Sequence, residues 1–149
     1  MTPTFQRFTT ECISEMLCLM QGLYEHTHMT WSGPAAESSL RELVNTPEKG
    51  GAWLIRSQGE AVGYFVLTLA FSLEFGGVFA LLDEFYVGPK ARGQGIGSAT
   101  LRFVEEQCRE MGAATLRLET GTDNPDAVRF YERHGLQREQ RYLMTKRLS

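Results

Sequence analysis

At 149 residues, 42% of them hydrophobic, and with a formal net charge of −3, the chain has the size and composition of one globular domain with a substantial core. Lysine and arginine are scattered, which argues against a nucleic-acid-binding face, and no apolar run nears the roughly 18 residues of a membrane span. MTPTFQRFTTEC lacks signal-peptide patterning, Cys12, Cys18 and Cys108 form no CxxC pair, and His26, His28 and His134 have no ligand spacing, so a cytoplasmic protein with reduced thiols and no metal is expected.

TFQRFT reads as a short opening strand. From Glu11 to about His28, Ile13, Met16, Leu17, Met20, Leu23 and Tyr24 recur at three- and four-residue steps, which predicts an amphipathic helix. Gly33 and Pro34 precede a second helix, AAESSLRELVN, which stops ahead of Pro47 and Gly50-Gly51. AWLIRS and EAVGYFVLTLAFS predict a hairpin turning at Gln58-Gly59. SLEFGG is the next turn and GVFALLDEFYV the following strand. A glycine-rich loop leads into a helix that runs to about Met111, then the strand ATLRLETG. NPDAVRFYERHG is a short helix with Gly135 as its stop signal, and LQREQRYLMTKRL closes the chain as one or two strands. With no repeat, linker or low-complexity tract, residues 1–149 read as a single mixed α/β domain.

The loop VGPKARGQGIGSAT carries the chemistry. Gly88 to Gly93 has P-loop spacing, but Gln94 and Gly95 stand where Lys and Ser or Thr are needed. Gly93-x-Gly95 begins a dinucleotide fingerprint, yet Ser98 replaces its last glycine and no parallel βαβ unit opens here. What fits is R-x-x-G-x-G, as Arg92, Gly95 and Gly97. Such a turn aims the amides of Gly93, Gln94, Gly95, Ile96, Gly97 and Ser98 at a pyrophosphate before a helix N-terminus, with Arg92 and Lys90 adding charge.

Three features in order, DEFYV, ARGQGIGSATL and ETGTDNPDAVRFYERHGL, make residues 83–135 resemble the GNAT superfamily of acetyl-CoA-dependent N-acetyltransferases, and LLDEFYV resembles its small polyamine and diamine members. The resemblance implies an acyl-CoA N-acyltransferase fold: a mixed, mostly antiparallel sheet of about six or seven strands, splayed at its centre, with about four helices. It implies acetyl-CoA as cosubstrate and acetyl transfer to a primary amine of a small molecule or peptide by direct attack in a ternary complex. A homodimer is compatible with it. A non-catalytic acyl-CoA sensor on the same fold, and an interaction module with a purely structural loop, are the rival readings.

Residue by residue, the resemblance makes the backbone of Phe85, Tyr86 and Val87 the grip on the pantetheine arm, and Asn124 a further cofactor contact as well as an N-cap. Tyr131 falls where the family places a tyrosine near the thioester sulfur, suited to protonating the departing thiolate. Asp83 and Glu84 are the candidate bases for deprotonating the amine. Neighbouring strand residues face opposite sides, so at most one of the two is expected to point at the reaction centre, with Tyr86 on the face of Glu84 and Phe85 and Val87 on that of Asp83. Which of them acts is open. With Glu74, Tyr24 and Glu25 they would form an acidic mouth for a cationic amine.

Overall fold

Gln58 and Gly59 both adopt positive φ, 54° and 82°, the backbone of the tight hairpin turn whose twist matches the strands it joins. They link β2 (Gly50–Ser57) to β3 (Glu60–Ser72), around which the rest of the sheet assembles. The protein is described here by a computed structural model covering residues 2–149. β1 (Thr4–Arg7) pairs antiparallel with the outer edge of β2, and β4 (Gly77–Val87) pairs antiparallel with β3. β5 (Leu116–Leu118) joins β4 in parallel, giving the order β1-β2-β3-β4-β5.

Both faces of the sheet are covered, which is why β2 and β3 read as near-continuous apolar runs. On one face Leu54, Tyr64 and Val66 meet Met16 and Met20 of α1 (Ile13–His26) and Leu40 of α2 (Gly33–Asn45). The helical periodicity of α1 puts its methionines inward, and Ser32 caps α2 by accepting the Ala35 amide at 3.3 Å. On the other face Trp53 stacks on Phe65 at 4.9 Å, and Phe103 of α3 (Ile96–Glu110) stacks on Phe5 at 4.3 Å. Removal of a side chain such as the wholly buried Phe65 from water contributes about 1.5–3 kcal/mol. Gly63 permits the close β3–β4 approach: a Cβ there would lie 2.3 Å from the Tyr86 carbonyl oxygen.

The chain divides into two compact units, one ending at Glu119 and one spanning Thr120–Ser149. The second contains α4 (Pro125–Arg133), closed by Gly135 at φ 89°. Four α-helices form among the described residues, but the sheet has five strands rather than six or seven. The shortfall lies in LQREQRYLMTKRL. Residues 137–149 are exposed and form no strand, because local composition alone supplies no hydrogen-bonded neighbour to hold an extended backbone. No helix among the described residues is long and apolar enough to cross a membrane.

Candidate active site

β3 and β4 change register between Val66 and Leu67: Val66 opposes Glu84, while Leu67 opposes Leu82. Asp83 is therefore the extra residue of a β-bulge. The bulge shifts the strand's alternation, and Asp83 and Glu84 both line one cleft instead of facing opposite sides. Strict alternation was the assumption that failed, since it holds only where no residue is inserted.

The cleft, about 360 Å³, lies between α1, α2 and the sheet. Met20, Leu40 and Val66 form apolar parts of its lining, and Tyr24, Asp83 and Glu84 polar ones. Both oxygens of Glu84 are engaged: the Tyr24 hydroxyl donates to Oε2 and the Tyr64 hydroxyl to Oε1, each at 2.7 Å. Burial, then the bond to Glu84, pushes the Tyr24 phenol up; burial and the Glu84 charge do the same to Tyr64. Both phenols thus keep their protons and act as donors. Asp83 accepts no hydrogen bond among the described residues. Its side chain reaches solvent, yet the walls of the cleft desolvate it enough to raise its carboxyl above the ordinary range.

The bulge also marks the end of the β4–β5 ladder, whose last pair is Leu82 with Leu118. Beyond it the backbone of Phe85, Tyr86 and Val87 pairs with β3 on one side and, among the described residues, with no strand on the other. The Tyr86 ring is a packing element, since a Cβ on Gly22 of α1 would lie 2.8 Å from its hydroxyl. Arg92 Nε donates to the Val87 carbonyl at 2.8 Å, and its guanidinium lies 5.6 Å from the Tyr86 ring centroid.

In the loop that follows, Gly93 and Gly95 have φ of 77° and 78°, and a Cβ at either would meet nothing within 4 Å. Glycine there serves backbone conformation and leaves the space ahead clear. The amides of Gly93, Gln94, Gly95, Ile96 and Gly97 donate to no backbone carbonyl among the described residues. They open α3, whose first helical bond runs from Ala99 to Gly95 at 3.1 Å. Ile96 is itself buried, so it offers an amide and not a side chain; Gln94 bonds back to the Lys90 carbonyl at 3.2 Å. Clear space, unpaired amides and a positive helix end suit an anion such as a pyrophosphate. Ser98 lies in the first turn of α3.

Asn124 and Tyr131 belong to the second unit. Asn124 Oδ1 accepts the Ala127 amide at 3.2 Å, so its side chain caps α4. Burial pushes the Tyr131 phenol up to about 12, and its ring meets Phe130 edge-on at 5.3 Å. Sequence reasoning missed Tyr64, whose signal was a tyrosine inside the apolar run GYFVL: a buried phenol needs a partner. Tyr24 does line the cleft, whereas Glu25 and Glu74 do not. No group of three or more His, Cys, Asp or Glu among the described residues could hold a metal ion.

Residues 20–136 match the model of the Acetyltransferase (GNAT) family. The aminoalkylphosphonate N-acetyltransferase of Salmonella typhimurium is 38% identical over 90 residues, 60% of this chain. The matched region spans 58% of that relative's length. An integron cassette protein from the mobile metagenome of Cole Harbour salt marsh is 33% identical, with a TM-score of 0.85 over 97% of this chain and 90% of its own. An aminoglycoside N-acetyltransferase solved with CoA superposes with a TM-score of 0.86 over 99% of this chain and 95% of its own; at 12% identity that likeness is one of fold. The chain belongs to the acetyltransferase (GNAT) family.

Proposed function

We propose that this protein transfers the acetyl group of acetyl-CoA to a primary amine of a small molecule by direct attack in a ternary complex. The observation that carries the reading is the coincidence, at one bulge, of the last β4–β5 pair with two carboxylates lining a cleft. An extended arm laid along Phe85–Val87 would bring its end to the acid-lined cleft, while the amides of Gly93–Gly97 receive a pyrophosphate and Arg92 adds charge. The name of the Salmonella relative and the CoA in the aminoglycoside enzyme support the same chemistry.

Asp83 is the base. Glu84 has both oxygens committed to phenols, whereas Asp83 has no hydrogen-bond partner among the described residues and is free to receive a proton. Asp83, directly or through one water, takes a proton from the ammonium. The freed nitrogen attacks the thioester carbonyl, the C–S bond breaks, the attacking nitrogen sheds its second proton to solvent as the amide forms, and the leaving sulfur takes a proton. Tyr131 is the donor in that last step, a role resting on the family resemblance; burial raises its phenol, which therefore holds its proton until the thiolate departs. Glu84, Tyr24 and Tyr64 hold the cleft wall in place.

The test is incubation with acetyl-CoA and a panel of amines, following free thiol, alongside thermal unfolding with acetyl-CoA alone. A cosubstrate present at 100 times its Kd adds roughly 2.7 kcal/mol of stability. Stabilisation plus amine-dependent thiol release is expected. Stabilisation with no release on any amine would favour the sensor, and no stabilisation would exclude both.

A further inference from the structure

Which amine reacts is written in the charges around the cleft, an inference resting on the acetyltransferase reading. Among the described residues its only formal charges come from Asp83 and Glu84, and no lysine, arginine or histidine lines it. The basic side chains on and just after α2 are already paired, Arg41 with Glu37 at 3.5 Å and Lys49 with Glu42 at 2.6 Å. The remaining polar groups are neutral hydroxyls, among them Thr30, Ser39 and Thr68. An anionic group on the acceptor would be desolvated beside two carboxylates with no cation to receive it. A second ammonium or a hydroxyl would find acceptors and donors. The volume of about 360 Å³ lies at the low end for small-molecule sites.

We propose that the acceptor is a compact amine bearing no anionic group, of the amino alcohol or diamine class, and that the cleft discriminates against aminoalkylphosphonates despite the resemblance to an enzyme named for them. Asp83 faces the reacting nitrogen, and the hydroxyls of α2 and β3 take the other end.

Aminopropanol, diaminopropane and aminopropylphosphonate share a carbon chain and differ at the far end, so they separate charge from size. With acetyl-CoA and the full chain, kcat/KM for the better of the first two is expected to exceed that for the phosphonate by roughly 100-fold or more. Ser39→Arg, which places a cation on the exposed wall of α2, should narrow that ratio by raising turnover of the phosphonate. Equal or preferred turnover of aminopropylphosphonate by the unmodified protein would overturn this inference while leaving the acetyltransferase reading intact. Thiol release with no amine of a broad panel would overturn both.

Discussion

Tyr64 donates its phenolic proton to Oε1 of Glu84 across 2.7 Å, from a position with no solvent exposure. The pair links β3 to β4 beside the bulge, and the Tyr64 side of it is sealed from solvent while Glu84 borders the cleft. Tyr64→Phe leaves a partly buried carboxylate oxygen without its partner and is expected to cost about 1–3 kcal/mol. Urea unfolding measures it; a change of only a few tenths would mean that the bond contributes nothing. Tyr24→Phe, at a half-buried position, should cost less.

Asp83 gives a stability signature opposite to that of a salt-bridged carboxylate. Burial raises its pKa in the folded state, so the folded protein holds this proton more tightly than the unfolded chain does. Its contribution is therefore lost as pH rises from the ordinary carboxylate range to the raised value, and stays absent above it. Asp83→Asn removes that loss, so the variant should melt at or above the wild-type temperature at pH 7 and lose its advantage in acid. Thermal unfolding across that interval checks the sign; a variant less stable at pH 7 contradicts it.

Gly95→Ala separates backbone strain from packing. The site has open space but a φ of 78°, so the penalty is conformational, on the order of 1 kcal/mol. The altered backbone would also displace the loop amides from the arrangement that suits an anion. Acetyl-CoA affinity, measured by calorimetry, is expected to fall by a larger factor than the unfolding free energy explains. An unchanged Kd would remove the loop from cosubstrate binding.

Tyr131→Phe keeps the edge-on contact with Phe130 and removes only the hydroxyl. Turnover is expected to fall by roughly 10²-fold or more with little change in acetyl-CoA affinity. Equal turnover in the two proteins would take Tyr131 out of the acid role.

Much of this was legible in the residues. The apolar runs on either side of Gln58-Gly59 announce the hairpin, the spacing of Met16 and Met20 announces α1, and the glycines of the loop announce the positive-φ backbone found at Gly93 and Gly95. The bulge was not legible, because inserting Asp83 leaves no mark in a string whose alternation reads equally well without it. Nor was the partnership of Tyr24 and Tyr64 with Glu84, which joins residues 60 and 20 positions apart. The terminal segment misled for the converse reason: its strand-like pattern lacks a neighbour to pair with. Local pattern reports what a segment is able to form, and pairing decides what it does form.

The pH dependence of kcat/KM for acetyl transfer, measured for the wild type, Asp83→Asn and Glu84→Gln, tests the central claim most directly. A base must be unprotonated to act, so wild-type activity should fall as pH drops through a midpoint above the ordinary carboxylate range. Asp83→Asn should lower the plateau by about 10²–10⁴-fold and flatten that limb, while Glu84→Gln keeps it. An acidic limb that survives unchanged in Asp83→Asn and disappears in Glu84→Gln would contradict the account.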